Sequence, residues 1–564
     1  MSAAKHYLKD PNHAVLTSLN AITKTNPSVC LDPENKIIYR NPASIKNKTH
    51  VSVVCGGGSG HEPGFAGFVG DGVLTACVAG TIFASPSAKQ VRACLLHRLP
   101  VESQGILIIA TNYTGDVLNF GMAVEKARPL GKSVKMVVIC GALAAKGVGL
   151  EELAKSARTV VNNLVSLGAS LSRVHVPGKG IDDAKEEEER LGHGLVEIGM
   201  GIHNEPGCEK KVTDLPGLIK IMLAQMLDQN DKDRAYVKIE KTDQTLLLLN
   251  NFGGVSNLEL GAILNEATQQ LAHTYEIRPR RIVQGTLFGS LDGPGFILTL
   301  LKLSDIGLGA GKTMLEAIDA SADADGWPRC VSTETWEASY PPPPKIAEGK
   351  EKETKITNLR LSPQRLKEVL TPALNKIIAS EGEVTRYDTV VGDGDCGVGL
   401  KRGADSTLKA IEEVHSDDIM EAFAKICPTI EMSMDGTSGA LYAIFLNALA
   451  SNIRSLSPSS PSPVTTETWA TALSMSLKNL AVYTPAQPGD RTLMDALVPF
   501  VQELEASKDV KKAAEKAKQG AEKTKGMKAS LGRSVYVGGS GYQEVPDPGA
   551  HGLSIFLNGI ADAL

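Results

Sequence analysis

The stretch YDTVVGDGDCGVG, residues 387–399, sets Asp388, Asp393 and Asp395 close together with Gly392, Gly394 and Gly397 among them. Carboxylates confined within ~7 Å repel by roughly 2 kcal/mol per pair at an effective dielectric of about 20, so the pattern calls for a cation. In an extended chain residues 393 and 395 project the same way, ~6–7 Å apart, which suits two hard cations flanking a polyphosphate. Magnesium with a nucleotide is the natural guest. A Gly-Asp turn that caps a helix has the same composition. Calcium is a third option, although the EF-hand pattern and its distal Glu are absent.

Later loops add to this inventory. MDGTSGAL (434–441) is a small-residue turn opening a helix, able to offer backbone N–H groups to phosphate. QPGDRTLMDAL (487–497), GRSVYV (532–537) and VPDPGAHGL (545–553) bring further glycine turns and two arginines, Arg491 and Arg533. Each alone is ordinary loop architecture; together they suit a nucleotide site without a P-loop, because GxxxxGK[ST] occurs nowhere in the chain.

The first half carries a different set. CGGGSGHEPGFAGFVGDG (55–72) follows an apolar run, and its glycines would let backbone N–H groups converge on a small ligand beside His61 and Glu62. TNYTGDVLNF (111–120) follows the next apolar run and contributes Asp116, a candidate base at the sheet edge where open α/β sheets bind ligands. EIGMGIHNEPG (197–207) places His203 in a third loop, between Gly201 and Pro206.

The elements that must position these residues fall into two kinds. Up to about residue 339, buried-strand patterns such as VSVVC (51–55), ILIIA (106–110), VKMVVI (134–139) and TLLLLN (245–250) alternate with helical ones, which predicts an α/β domain of two lobes. YPPPPKIAEGKEKETK, at 340–355, reads as a linker. From 356 to 564 apolar residues recur at three-to-four spacing and strand-like alternation is scarce, so this part should be all helix. A first helix over about 362–382 would leave the three aspartates in a loop.

Composition excludes some partners. With 564 residues and a formal net charge of -5, the chain has no basic footprint for nucleic acid or an anionic membrane. Nine cysteines without a CxxC pair, and an amino terminus without the apolar core of a secretory signal, make the cytoplasm the expected address.

Taken in order, GGGSGHEP, NYTGD..NFG, MGIHNEPG, NNFGGVSNLEL, LDGPGF and YDT..GDGDCG resemble the ATP-dependent dihydroxyacetone kinases of the triokinase type, with fused substrate and nucleotide domains, nearly end to end. The resemblance implies a substrate-binding domain over 1–339 and an ATP-binding antiparallel helix barrel over 356–564. It implies that His203 holds dihydroxyacetone or glyceraldehyde as a hemiaminal. Gly58, Ser59, Gly60 and His61 match the substrate loop, with Thr111 alongside, and His61 and Asp116 are the implied acid/base pair. Asp388, Asp393 and Asp395 would hold two Mg²⁺ ions with ATP. The remaining nucleotide contacts map onto Cys396, Gly397, Val398 and Gly399, onto Thr437 and Ser438, onto Thr492, Leu493 and Arg533, and onto Asp547, Pro548 and Gly549. A homodimer is the family expectation.

Three departures stand out. Thr111 occupies the place of a lysine in the family's KNYTGD, and Asp435 replaces the first glycine of GGTSG. After Ile139 the chain runs straight into CGALAAKGVGLEELA, so a few dozen residues of the pattern are missing. Two alternatives accompany the kinase reading: FAD-AMP lyase (cyclising) activity at the helical metal site, and a degenerate binding or regulatory protein, which these departures motivate.

Overall fold

A computed structural model describes residues 10–137, 147–177, 191–192, 194–231, 234–309, 312–328, 331–338, 356–531 and 543–564. The chain forms two compact units, Met1–Pro342 and Pro343–Leu564. The stretch after Ile139, the linker 340–355 and Arg533 lie outside the described residues.

The first unit holds two six-stranded sheets. In one, β1 (Val29–Asp32), β2 (Ile37–Arg40), β3 (Ser52–Ser59), β4 (Ala76–Ile82), β5 (Ile106–Ala110) and β6 (Val134–Val137) lie in the order β1-β2-β4-β3-β5-β6. Strands β4, β3, β5 and β6 are parallel, and β1 and β2 add an antiparallel edge. Every residue of β5 is buried, as expected of a parallel strand covered on both faces. The chain passes from β3 to β4 on one side and then to β5 on the other, so a crevice opens at the carboxyl ends of these strands.

The glycine stretch differs from its reading as a loop. Strand β3 continues through Gly56, Gly57 and Gly58 to Ser59, paired with β4. A Cβ at Gly56 would lie 2.2 Å from the Val78 carbonyl oxygen, so the glycine permits close strand packing.

The second sheet comprises β7 (Leu164–Ser170), β8 (Leu195–Ile198), β9 (Glu209–Val212), β10 (Thr245–Asn251), β11 (Arg281–Gly285) and β12 (Gly295–Lys302), in the order β11-β10-β12-β7-β8-β9. Only the β10–β11 pair is parallel. Leu218, Met222 and Leu223 of helix Leu215–Leu227 and Leu260, Ile263 and Leu271 of helix Asn257–Thr274 share a core with Leu247, Leu249 and Leu298 of the sheet.

At the foot of β11 the Arg281 guanidinium forks onto Asp319, with Nε–Oδ1 at 2.9 Å and Nη2–Oδ2 at 2.7 Å; the two side chains are 3% and 5% exposed. Glu337 Oε1 lies 3.3 Å from the same Nη2. Burial raises the Asp319 carboxyl, but hydrogen bonds from Arg281 and Thr333 outweigh it and hold the group below its ordinary value. Asp319→Ala would leave the buried guanidinium with Glu337 as its remaining carboxylate, beside the Arg280 carbonyl at 2.9 Å, and is expected to cost up to about 3–5 kcal/mol, read as a lowered denaturation midpoint of the full chain. A midpoint unchanged from the parent would show that Glu337 suffices.

The second unit is helical, with α1 (Pro363–Ala379), α2 (Glu381–Val391), α3 (Cys396–Glu412), α4 (Ile419–Ser433), α5 (Gly436–Ser455), α6 (Thr466–Leu480), α7 (Met494–Ser507), α8 (Val510–Lys523) and α9 (Pro548–Ala563). It is not entirely helix: β13 (Leu359–Arg360) and β14 (Ser462–Pro463) form a short parallel pair. From α3 onward each helix packs against the next, α9 returns to α1, and α1 packs on α3. The helices enclose an apolar cavity of about 510 Å³ lined by Leu374, Leu400, Phe423, Phe445, Phe500 and Phe556, among others.

Candidate active site

In the first unit the loops that follow β3, β4, β5, β8 and β11 bring their side chains together. His61 stands just past β3, stacked between Phe83 and Phe288 with ring centroids 5.2 and 4.9 Å away and interplanar angles of 20° and 11°. Its Nδ1 donates to the Gly289 carbonyl at 2.9 Å, which leaves Nε2 as the acceptor nitrogen. Burial lowers this imidazole to about 4, against the opposing effect of Gly289, so the ring is neutral near pH 7.

Asn250, buried at the end of β10, holds Gly289's loop in place. Its Oδ1 accepts from Leu287 N at 3.0 Å and Phe288 N at 2.8 Å, while its Nδ2 donates to Phe288 O at 2.7 Å. Asn251 does the same for the next turn, bonding Gly253 N and Val255. The NNFGG motif therefore supplies side-chain amides that stand in for backbone partners.

His203, from the loop between β8 and β9, meets His61 with their Nε2 atoms 2.8 Å apart. Its ring lies 4.8 Å from Phe83 and 4.7 Å from Tyr113, centroid to centroid. The other ring nitrogen, Nδ1, is 3.4 Å from Glu205 Oε1, and Glu205 Oε2 accepts from His203 N at 2.9 Å. A Cβ at Gly201 would lie 2.1 Å from that Oε2, so the glycine of MGIH leaves room for the carboxylate. Burial raises the Glu205 carboxyl, but the His203 backbone N–H, its imidazole and the Tyr113 hydroxyl together hold it below its ordinary value. Burial and the same carboxylate push the Tyr113 hydroxyl up to about 12.

Asp116 lies in the first turn of helix Thr114–Ala127 and is buried. Thr111 Oγ1 donates to its Oδ2, and its Oδ1 is buried with no hydrogen-bond partner. Ser59 Oγ turns away to Gly80 O at 3.1 Å, and Gly60 N donates to Glu62 Oε2 at 2.9 Å. The structure thus joins His61 directly to His203, and Thr111 to Asp116, while these hydroxyl and amide groups of Ser59 and Gly60 serve the local fold. Glu205, Tyr113, Phe83 and Phe288 are members of this cluster that the sequence reading did not single out.

In the second unit Asp388, Asp393 and Asp395 each offer an oxygen, all within 4.8 Å of one another. Asp388 is on helix α2 rather than in a loop, and only Asp393 and Asp395 occupy the turn before α3. That turn is not extended: Gly394 has φ +79° and Asp395 is in the right-handed helical region, which gathers the carboxylates. Asp388 Oδ2 accepts from Asp395 N at 2.8 Å and Cys396 N at 3.0 Å, pinning the turn. The clustered hard carboxylate oxygens fit a divalent cation such as Mg²⁺.

Cys396, Gly397, Val398 and Gly399 form the first turn of α3, Thr437 and Ser438 that of α5, and Pro548 and Gly549 that of α9. The Cys396 thiol, pushed up to about 12 by burial and by the charges of Asp388, Asp547 and Asp395, bonds Ser438. Asp547 caps α9 through Ala550 N at 2.8 Å. Burial pushes its carboxyl up to about 7 against the opposing effects of Ala550 and Arg491. Thr492 and Leu493 precede α7, where buried Asp495 ties the loop through Gly489 N and Thr492 N. Leu493 Cβ lies 3.6 Å from where a Gly549 Cβ would stand, so α7 and α9 begin side by side. These helix starts suit an anion. The added charge of Asp435 is paired with Arg402 at 2.7 Å and 83% exposed, hence turned to solvent.

Among the described residues no helix is long and apolar enough to cross a membrane. Comparison with known proteins gives a consistent result. The Dak1 domain model matches residues 20–140 and 138–326, and the DAK2 domain model matches 390–562. The break between the two Dak1 pieces coincides with the place where the motif pattern lacks residues. The chain is 38% identical over 616 residues to dihydroxyacetone kinase of Komagataella pastoris, covering 100% of this chain and 98% of the relative. It is 33% identical over 586 residues to the Homo sapiens triokinase/FMN cyclase, covering 97% of each. Two solved structures of the C. freundii dihydroxyacetone kinase, one native and one in complex with AMP-PNP and Mg²⁺, match 100% of both chains at 26% identity, with TM-scores of 0.63 and 0.62. With both domain models matched in order and relatives aligned along nearly their whole length, the chain belongs to the dihydroxyacetone kinase family.

Proposed function

We propose that this chain transfers the γ-phosphoryl group of ATP to dihydroxyacetone, and to glyceraldehyde as a second substrate, with the carbonyl carbon held on His203 as a hemiaminal. The observation that carries this reading is the His61–His203 pair at 2.8 Å, enclosed by aromatic rings at the carboxyl ends of the strands. An imidazole nitrogen adds to a ketone or aldehyde but not to an alcohol. The site therefore selects short carbonyl compounds by chemistry, and the aromatic walls limit their size.

The residues divide the work. His203 Nε2 holds the substrate, and the open oxygen of Asp116 is the acceptor for the proton of the hydroxyl that is phosphorylated, with His61 as its partner. Thr111 orients Asp116 by occupying its other oxygen. Asp388, Asp393 and Asp395 would hold Mg²⁺, two ions in this reading, whose charge neutralises the ATP phosphates. The first turns of α3, α5 and α9, with Thr492 and Leu493, are the proposed phosphate and nucleoside contacts; Arg533 is proposed on the resemblance alone.

The closed order of helix contacts supports an antiparallel helix barrel for the nucleotide domain, taken as 356–564, with a substrate domain over 1–339 and a linker over 340–355. A cytoplasmic homodimer completes the proposal, on the family resemblance. The triokinase/FMN cyclase name of the human relative favours a second, minor reading: cyclising FAD-AMP lyase activity at the aspartate cluster. Its mark is FAD turnover that survives loss of His203. The pairing of Asp435 with Arg402, and of Thr111 with Asp116, weighs against a degenerate binder.

The test is ADP release by the full chain with Mg²⁺, ATP and dihydroxyacetone, with glycerol as control. Turnover is expected with the ketone and not with glycerol. Equal rates with both, or no turnover from folded, ATP-binding protein, would overturn the assignment.

A further inference from the structure

Two hydrogen-bonding constraints meet on His203. Its Nε2 faces His61 Nε2, whose only polar option is to accept, because His61 Nδ1 is committed to the Gly289 carbonyl. A proton must therefore lie between the two Nε2 atoms. On the other side, Nδ1 faces a carboxylate oxygen at 3.4 Å, and an unprotonated Nδ1 there would oppose two lone pairs. The geometry thus directs one ring N–H at the His61 Nε2 lone pair and the other at the carboxylate. Besides Glu205 and His61, the titratable groups around the ring are Tyr113, which bonds the same carboxylate, and Asp116 beyond it.

We propose that Glu205 is a positioning residue for the covalent step: it keeps the proton on His203 Nδ1, so that Nε2 is the nitrogen that attacks. This rests on the hemiaminal reading above. In the step, the proton on His203 Nε2 passes to His61 Nε2, and the freed lone pair forms the bond to the carbonyl carbon. The C=O π bond breaks toward oxygen, and His61 returns its proton there to give a hydroxyl. His61 ends neutral, as it began. The alkylated His203 ring keeps its Nδ1 proton and its positive charge, and Glu205 is ionised before and after, so the charge in the site does not change. The arrangement is the one by which an acidic side chain fixes a histidine tautomer in acyl-transfer triads, applied to a histidine that is itself the nucleophile.

The surrounding geometry serves the same end. Gly201 admits the carboxylate, the His203 backbone N–H and the Tyr113 hydroxyl fix its direction, and Tyr113 packs on the His203 ring. Glu205 touches neither substrate nor phosphate in this reading; it acts through His203.

Three full-length variants test it: Glu205→Gln, Glu205→Asp and His203→Ala, each checked for fold by circular dichroism and for ATP binding. Glu205→Gln is expected to lose about 10²–10⁴-fold in kcat/KM for dihydroxyacetone with the KM for ATP unchanged. In ¹⁵N-histidine NMR it is expected to move the His203 Nδ1 signal from the protonated toward the unprotonated range. Glu205→Asp, which keeps the charge, should recover part of both. Wild-type kinetics with an unmoved Nδ1 signal in Glu205→Gln would overturn the assignment. So would equal losses in Glu205→Gln and Glu205→Asp, since shape and not charge would then matter. If His203→Ala turns over the ketone, the covalent reading itself fails; if it does not and Glu205→Gln is normal, only the role of Glu205 fails.

Discussion

Replacing His203 with Ala is expected to lower dihydroxyacetone-dependent ADP release by about 10³-fold or more, because nucleophile and positioning are lost together. His61 Nε2 then faces a methyl group rather than an imidazole, but its Nδ1 bond to Gly289 and its place between Phe83 and Phe288 remain. The site should therefore persist without its covalent anchor. ATP binding, measured by calorimetry, should match the parent, since the aspartate cluster belongs to the other unit. A mutant that phosphorylates the ketone as fast as the parent would remove the hemiaminal from the mechanism.

The second large effect concerns the aspartates. Asp395→Asn is expected to reduce kcat by about 10²–10³-fold and to raise the Mg²⁺ concentration needed for half activity. Without metal the same change relieves roughly 2 kcal/mol of repulsion per carboxylate pair at short range, less where solvent screens the exposed Asp395. The variant should therefore melt no lower than the parent in EDTA, and above it if the repulsion counts. Loss of activity together with a lowered midpoint would instead make Asp395 a structural residue. Asp388 is the poorer choice for such a test, because its Oδ2 also accepts from Asp395 N and Cys396 N.

Several of these features could be read from sequence because they are local. The buried runs at 106–110 and 245–250 are strands, and the helical spacing after residue 356 is helix. His61, His203 and the three aspartates were found as residue types in glycine settings. What escaped was set by tertiary contacts. The EGEVTRYDTVV segment is poor in helix formers, with Gly382, Thr385, Thr389, Val390 and Val391, yet it is helical through Val391. Val384 and Val391 bury against the bundle, and Asp388 ties the segment to α3. The glycines at 56–58 looked like a loop because side-chain pattern says nothing about backbone pairing with β4. Phe83 and Phe288 lie far from His61 in the chain, and no spacing rule brings them to it. Glu205 does carry a local signal, an acid two residues after the histidine, in a turn where Asn204 takes φ +66°.

The stacking of His61 between Phe83 and Phe288, with Tyr113 against His203, bears on how so small a molecule can be held at all. Each side chain immobilised on binding costs about 0.5–1.5 kcal/mol, while a very small ligand gains at most about 1.5 kcal/mol per heavy atom. If the two histidines and the tyrosine had to be ordered when substrate arrived, much of that gain would be consumed. Here the rings restrain one another beforehand. The entropy of arranging the site is spent when the chain folds, and the encounter with substrate is left to make a bond.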